Sequence, residues 1–304
     1  MFTNLFATRG LSLDRLKTLI EVAEAGSIAA AAVGDAARQS LYSRQLKELE
    51  EFFGVELTVR KGRVLSLTKE GWELARIARE NLNQLNDFKE RNNDKPYRFS
   101  IGAGDSFHAW LVAPMLAEMQ RGNMKYLFEL KSCRNSEVAG KLLNMDIDFG
   151  IVRESGLTEG LQHRYICDMD YVLFVSRKKY EKLKVPQGEK ALPYLLETLP
   201  LATLGDTTSF YRQLEKQCRE YNILFQNHCE TQSFPIAERL LKTGAYTAIL
   251  PSVAARSLGA DYVAISHPIL KKLSRRIMLA WNPRLLRIRP MAKHIIDLSW
   301  GDLV

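Results

Sequence analysis

The sequence lacks the features of a membrane or exported protein. Its 304 residues contain no uninterrupted apolar run of about 18 residues, the length that a membrane-spanning helix requires. The opening residues, MFTNLFATRG, lack the basic start, the long apolar stretch and the cleavage site of a signal peptide. We therefore expect a cytoplasmic protein without a membrane partner.

Cysteine and histidine are both scarce. The four cysteines, Cys133, Cys167, Cys218 and Cys229, show no CxxC spacing and no neighbouring histidine pattern, so we expect no metal site. Reduced thiols are the expectation in a cytosolic protein, and redox sensing by one pair is the alternative. The sequence also has no Ser/His/Asp order, HExxH motif, phosphate loop or paired catalytic carboxylates. We expect neither an enzyme nor a cofactor.

The excess of positive charge is unevenly distributed. The net charge is +8, yet residues 1–95 contain 15 Lys and Arg against 14 Asp and Glu. The stretch from Tyr262 to Ile296 has no carboxylate and eight Lys and Arg residues, among them Arg275 and Arg289. A basic protein fits a nucleic-acid partner, but the charge does not mark the N-terminal region as the part that binds it.

Residues 1–68 have the pattern of three short helices and a hairpin. Apolar residues at helical spacing predict a first helix after Ser12, a second after Ser27 and a third over 39–53. In the third helix Leu41, Leu46, Leu49 and Phe53 are expected to face inward. Two short apolar runs, 55–59 and 64–67, flank a basic turn and predict a hairpin. Together these elements predict a winged helix-turn-helix, a DNA-binding fold.

A long helix is predicted next, within a linker of residues 69–95 that Thr68 begins as an N-cap. Its apolar stripe comprises Gly71, Leu74, Ala75, Ala78, Leu82, Leu85 and Phe88. One apolar stripe on a long polar helix favours a partner helix, and hence a homodimer. The alternative is that the stripe packs on its own domain.

Polar side chains on the outer face of the third helix are the candidates for reading DNA. Arg44 suits guanine and Gln39 suits adenine, whereas Arg38 and Lys47 suit phosphate. Cations of the hairpin turn suit the neighbouring backbone or minor groove. The candidate DNA-binding residues are Arg38, Gln39, Ser40, Ser43, Arg44, Lys47, Arg60, Lys61 and Arg63.

The N-terminal motifs resemble those of the LysR-type transcriptional regulators over about 60 residues. They are Gly26-Ser27 with an alanine run, Arg38-Gln39-Ser40, Ser43-Arg44-Gln45, Leu49-Glu50, Gly54-Val55-Glu56-Leu57-Thr58 and Leu67-Thr68-Lys69-Glu70-Gly71. The family usually has Ser-Gln-Pro where this chain has Arg38-Gln39-Ser40, and Phe where it has Thr58. Since Arg38 cannot act as an N-cap, we expect a rebuilt turn with Asp35 as the cap.

Residues 96–304 alternate short apolar strands with helices, which predicts an α/β fold. The motifs over 101–103, 142–153 and 241–251 resemble the family's effector domain, which is similar to two-lobed periplasmic binding proteins of type II. The resemblance implies a lobe I of 97–165 with 268–304, and a lobe II of 166–267.

The resemblance also implies a small-molecule inducer between the lobes, of unknown identity. Loops at strand ends suggest as its ligands Ser106, Asn135, Ser136, Thr207, Thr208, Ser233 and Phe234. It further implies double-stranded DNA, a homotetramer and RNA polymerase as partners. Two alternatives remain: a regulator of this fold that has lost ligand sensing, and a solute-binding transport protein, which the absent signal peptide disfavours.

Overall fold

The computed structural model describes residues 5, 7–61, 64–92, 96–121, 126–298 and 300, apart from the side chains of residues 61 and 90–92. Its N-terminal domain begins with α1 (Leu13–Ala25), α2 (Ile28–Ala31) and α3 (Ala36–Phe53). The Ser12 hydroxyl accepts from the Arg15 N–H at 3.3 Å and so caps α1, and Gly26 ends it at a φ of 77°. Leu19, Leu46 and Leu49 are fully buried between these helices.

The turn before α3 differs from the sequence prediction. The helix begins at Ala36, three residues before the predicted start at residue 39. The Asp35 carboxylate accepts from the N–H groups of Ala37 at 2.9 Å and Arg38 at 3.1 Å, which confirms Asp35 as the cap. A cap placed earlier adds almost one turn to the helix.

The inner face of α3 also differs. Leu41 is 40% exposed and Phe53 is 37% exposed, so the prediction that both face inward is wrong. Tyr42 is buried instead, and its hydroxyl donates to the Glu21 carboxylate. A tyrosine is accommodated here because its polar end has a partner on α1.

The hairpin consists of β1 (Thr58–Lys61) and β2 (Val64–Leu67), paired antiparallel with Thr58 opposite Leu67. The Glu50 carboxylate of α3 accepts from the N–H groups of Leu57 at 2.9 Å and Thr58 at 2.8 Å, and from the Thr58 hydroxyl at 2.9 Å. These bonds attach the hairpin to α3, and the hydroxyl bond gives Thr58 a role that phenylalanine cannot fill.

The linker helix α4 (Lys69–Asn92) begins as predicted, because the Thr68 hydroxyl accepts from the Gly71 N–H at 3.0 Å. Its apolar stripe is divided between two environments. Ala75 and Ala78 are buried within their own subunit, where α4 packs against α1, as the alternative prediction had it. Leu85 and Phe88, two turns further on, are 55% and 61% exposed. The exposed part of the stripe thus lies in the second half of α4.

Lobe I is built on a five-stranded sheet. Its strands are β3 (Tyr97–Ala103), β4 (Tyr126–Ser132), β5 (Phe149–Arg153), β6 (Gln162–Met169) and β12 (Arg275–Trp281). They lie in the order β4-β3-β5-β12-β6. Strand β3 is parallel to β4 and β5, and β12 is antiparallel to β5 and β6. The helices of lobe I are α5 (Asp105–Phe107), α6 (Ala113–Arg121), α7 (Asn135–Leu143), α14 (Leu285–Ile288) and α15 (Ala292–Ile296).

A π-helical segment, His108–Val112, joins α5 to α6. The Ala113 N–H bonds to the His108 carbonyl, five residues earlier. Pro114, the next residue, has no N–H with which to continue an α-helical pattern. The helical run therefore begins at Asp105 and changes its pitch before Pro114.

Lobe II has a second five-stranded sheet. Its strands are β7 (Tyr171–Ser176), β8 (Leu201–Leu204), β9 (Asn227–Thr231), β10 (Thr247–Pro251) and β11 (Tyr262–Ile265). They lie in the order β11-β7-β10-β8-β9. The helices of lobe II are α8 (Arg177–Lys182), α9 (Ala191–Thr198), α10 (Ser209–Glu220), α11 (Phe234–Lys242), α12 (Ala255–Leu258) and α13 (Pro268–Lys271). One buried apolar cluster runs through both lobes.

Both lobe boundaries lie later than predicted. The predicted division at 165/166 falls inside β6, which belongs entirely to the lobe I sheet, so the chain crosses at Asp170. Helix α13 packs against α10 and β7 of lobe II, so the return crossing lies after Lys271 rather than at residue 268. Strand pairing decides the first position and helix packing the second, and the apolar pattern reveals neither.

Two buried arginines join the linker helix to lobe I. Arg79 of α4 donates to the Asn144 carbonyl at 2.8 Å, pairs with Asp146 and contacts Glu24 of α1 at 3.3 Å. Arg289 donates to Asp87 of α4 at 2.6 and 2.8 Å. A polar cavity of about 240 Å³ lies between these two sets of ion pairs. Among the described residues, no helix has the length and apolarity needed to cross a membrane.

Candidate DNA-binding surface and inter-lobe crevice

The outer face of α3 carries the predicted DNA-reading side chains in an exposed row. Six of the nine candidates lie on this helix, and all six are exposed: Arg38, Gln39, Ser40, Ser43, Arg44 and Lys47. The Arg38 guanidinium lies 5.9 Å from the centre of the Tyr42 ring, so Arg38 has a cation–π contact on its own helix. The earlier start of α3 places Arg38 within its first turn rather than before it.

Arg44 has the geometry of a side chain that is free to reach a base. It is 71% exposed, and its Nε lies 4.0 Å from Glu48, the limit for an ion pair. Glu48 is itself engaged by Arg15 of α1, which neutralises part of its charge. An exposed, weakly paired guanidinium keeps the planar fork with which arginine recognises guanine.

Of the three wing candidates, Arg60 is exposed on β1. Lys61 ends β1, but its side chain lies outside the described part of the structure, as does the whole of Arg63.

The effector candidates of lobe I lie where its parallel strands end. Strands β3, β4 and β5 run in the same direction, so their carboxyl ends share one edge of the sheet. Ser106 follows β3 and is half-buried, and Ser136 follows β4 and is exposed. The Asn135 amide oxygen accepts from the Arg153 N–H at 2.9 Å, so this side chain fastens the end of β5 within its own lobe.

In lobe II, two of the candidates are engaged in the fold. Thr208 caps α10, because its hydroxyl accepts from the Tyr211 N–H at 3.2 Å and donates to the Gly205 carbonyl at 2.8 Å. Phe234 is 4% exposed and packs on Tyr171 and Phe210, with ring centres 5.6 and 4.9 Å away. Thr207 is exposed and Ser233 is half-buried.

The structure brings the two lobes together at these positions. Helix α11, which Ser233 precedes, packs against α5, which contains Ser106. The Arg153 guanidinium at the end of β5 donates to the Ser209 hydroxyl of α10 at 3.3 Å. We call the space between these elements the inter-lobe crevice and define it by Ser106, Arg153, Ser209, Ser233 and the start of β12.

Sequence reasoning missed three residues of the crevice, Arg153, Ser209 and Arg275, and it also missed Tyr171, which lies beside the two arginines. Arg153 ends the strand motif over 142–153, and Arg275 lies in the stretch without carboxylates. Burial raises the pKa of Tyr171, a residue that stands at the first crossing between the lobes. The basic stretch over 262–296 singled out Arg275 in the sequence, but only the pairing of β12 with β5 brings it near Arg153.

The cysteines are all free thiols. Cys133, Cys167 and Cys218 are buried, and burial raises the pKa of Cys167 to about 11 and that of Cys218 to about 12. Reactive thiols need a lowered pKa and solvent access, so neither of these two has the surroundings of a redox sensor.

Comparison with known proteins identifies both parts of the chain. Residues 13–72 match the family model described as a bacterial regulatory helix-turn-helix protein of the lysR family. Residues 93–299 match the model of the LysR substrate binding domain. These matches cover the winged helix, the first four residues of α4 and both lobes.

Individual relatives agree with the family models. The chain is 26% identical to the transcriptional regulator PtxR of Pseudomonas aeruginosa, over 80% of this chain and 77% of the relative. Among solved structures, a full-length OxyR variant from Pseudomonas aeruginosa gives a TM-score of 0.62 at 17% identity, covering 97% of this chain and 95% of that one. Full-length LysG of Corynebacterium glutamicum with its effector arginine gives 0.60 at 15% identity, covering 96% and 98%. The chain belongs to the LysR-type DNA-binding transcription regulators, a family of regulators rather than enzymes.

Proposed function

We propose that this regulator reads its operator with the outer face of α3 and responds to a small molecule bound in the inter-lobe crevice. The observation that carries the proposal is that hydroxyl side chains at the starts of helices from both lobes meet at the crevice. They are Ser106 of α5 in lobe I, and Ser209 of α10 and Ser233 before α11 in lobe II. A ligand that contacts both lobes binds one relative arrangement of them better than others, and so shifts the population toward it. The bound effector of LysG offers a parallel on the same fold.

Assembly as a homodimer, and then as a homotetramer, is part of the proposal. The exposed half of the α4 stripe supports it, because Leu85 and Phe88 are large apolar side chains that are 55% and 61% exposed. A second copy of α4 would cover them as a coiled coil does. A dimer of dimers positioned on a promoter would also be able to contact RNA polymerase in the cytoplasm.

Arg44→Ala tests the assignment of base reading. We expect specific binding to the DNA upstream of the protein's own gene to weaken by about 1–3 kcal/mol, the value of a bidentate arginine–guanine contact. Footprinting at one fixed salt concentration measures this loss. Arg219→Ala is a matched control, since Arg219 is 77% exposed and pairs with a glutamate four residues away on α10 of lobe II. Unchanged specificity in Arg44→Ala, with Arg219→Ala also unchanged, contradicts the assignment.

A thermal-shift screen of small metabolites tests the crevice. A ligand that binds only the folded state raises the unfolding temperature, and removal of its contacts lowers that rise. We expect a compound to stabilise the wild type more than a variant in which Ser106 and Thr207 are both alanine. If no compound does so, the crevice has lost ligand sensing and the protein regulates by DNA binding alone.

A further inference from the structure

Two arginines of lobe I lie side by side at the inter-lobe crevice. Arg153 is the last residue of β5, and Arg275 is the first residue of β12. Arg153 pairs with Ile277 in the antiparallel register, and Arg275 stands two residues from Ile277 on the same strand. Side chains alternate between the faces of a strand, so Arg153 and Arg275 point to the same face of the sheet.

The crossing between the lobes runs past the same place. Arg275 pairs with Met169 at the end of β6, and Tyr171 begins β7 two residues later. Tyr171 is 4% exposed and packs on Phe210 of α10 at 4.7 Å between ring centres. The two guanidinium groups thus lie beside the buried rings of lobe II, Tyr171 and Phe210.

Neither arginine has a carboxylate partner within 4.0 Å among the described ion pairs of the protein. Arg153 donates to the Ser209 hydroxyl at 3.3 Å, and Arg275 donates to the Ser274 carbonyl at 2.8 Å. The next residue, Arg276, differs, since it pairs with Glu154 at 2.9 Å. Burial lowers the pKa of Arg275, Tyr171 raises it in part, and the positive charge of Arg153 lowers it again. Within the described part of the chain, the fold therefore holds two half-buried positive charges together without a carboxylate in an ion pair with either of them.

We propose that Arg153 and Arg275 bind a carboxylate or phosphate group of the effector. The proposal rests on the proposed function of the inter-lobe crevice and adds the chemical class of its ligand. Guanidinium groups bind both kinds of oxyanion through paired N–H donors. An oxyanion between the two guanidinium groups is attracted to both of them and so offsets their mutual repulsion. Because Arg153 also reaches Ser209 of lobe II, the bound anion connects the two lobes.

The test compares the full-length wild type with Arg153→Gln, Arg275→Gln and Arg276→Gln. Unfolding temperatures are measured in sodium chloride and then with inorganic phosphate or succinate at the same ionic strength. In chloride, Arg275→Gln is expected to unfold at a higher temperature than the wild type, because the repulsion is gone. Phosphate or succinate is expected to raise the unfolding temperature of the wild type and of Arg276→Gln. Loss of a charged hydrogen-bond partner weakens binding by about 10- to 100-fold, so Arg153→Gln and Arg275→Gln should show little rise.

The outcomes separate this inference from the function on which it rests. A larger shift with phosphate indicates a phosphorylated effector, and a larger shift with succinate indicates a carboxylate. Equal shifts in all four proteins, or a lower unfolding temperature for Arg275→Gln in chloride, overturn the anion site. A different result is that only a neutral or cationic metabolite stabilises the wild type, and that the variant with alanine at Ser106 and Thr207 loses this stabilisation. The crevice then binds an effector, but the proposal that the effector is an oxyanion is wrong. If no ligand acts, both proposals fail.

Discussion

Replacement of Arg289 by alanine removes a guanidinium group that contacts α4, β3 and the residue before β5. Its Nε and Nη2 donate to the two oxygens of Asp87 on α4 at 2.6 and 2.8 Å. Its Nη1 donates to Asp148 at 2.9 Å, and Nη2 also reaches the Arg98 carbonyl. The guanidinium lies 4.3 Å from the centre of the Phe99 ring. Arg289 is 6% exposed, so water does not replace these contacts in the folded state.

The expected cost follows from what alanine leaves behind. Asp148 is 8% exposed and keeps the Ser100 N–H at 2.7 Å and the Ser100 hydroxyl at 2.9 Å, but it loses its only positive partner among the described ion pairs. Removal of one partner from a buried ion pair costs about 3–5 kcal/mol, because the remaining charge stays buried. We expect the free energy of unfolding of lobe I to fall by that amount. This is a large part of the roughly 5–15 kcal/mol that stabilises a domain.

Urea unfolding followed by circular dichroism measures this loss. Arg287→Ala is the matched control, since Arg287 is an exposed arginine two residues earlier and its removal should change the stability by no more than about 0.5 kcal/mol. Asp87→Asn separates the two contacts, because it weakens the attachment of α4 and leaves Arg289 with Asp148. A loss below about 1 kcal/mol in Arg289→Ala, equal to that of Arg287→Ala, would refute the argument that the buried charges need this partner.

Three further predictions concern other parts of the chain. Asp35→Ala should destabilise the N-terminal domain by about 0.5–2 kcal/mol in thermal unfolding, while Asp35→Asn, which still caps α3, should cost much less; equal losses would contradict the capping role. Gly71→Ala should destabilise that domain by about 1–3 kcal/mol, because the added Cβ overlaps the Leu57 carbonyl. Gly140→Ala on α7, where a Cβ meets no neighbour, should be neutral or stabilising in the same assay, and a loss there as large as at Gly71 would contradict the steric cause. Cys167 and Cys218, with pKa values of about 11 and 12, should stay protonated at pH 8 and react with a thiol reagent only after unfolding; rapid reaction of the folded protein would contradict their burial.

Local signals explain what the sequence could predict. Ser12 and Thr68 begin helices as expected, because a hydroxyl before an apolar periodic segment is a short-range signal. Asp35 was predicted as the cap because Arg38, which stands where the family usually has Ser, cannot accept the capping hydrogen bond, although the helix start was misplaced at residue 39. The inward orientation of Tyr42 in place of Leu41 depends on Glu21, which lies 21 positions away in the chain.

The inter-lobe crevice shows more clearly what such short-range sequence signals cannot predict. Asn135, Thr208 and Phe234 have the residue types of a binding site, but each is engaged by a neighbour in its own lobe. Arg153 and Arg275 are 122 positions apart, and only the pairing of β12 with β5 brings them together. A pattern in one sequence identifies strand ends, whereas the partners of each side chain depend on strand order.

The place of β12 has a consequence for how the chain is made. This strand lies between β5 and β6 in the lobe I sheet, yet it follows the whole of lobe II in the sequence. During synthesis, β5 and β6 therefore leave the ribosome long before the strand that separates them. Lobe II, whose strands are contiguous from Tyr171 to Ile265, has all its partners earlier and can fold first. Until Trp281 emerges, lobe I has unpaired strand edges, which are open to pairing with other chains. The nascent regulator is thus most exposed to aggregation just before its last strand arrives.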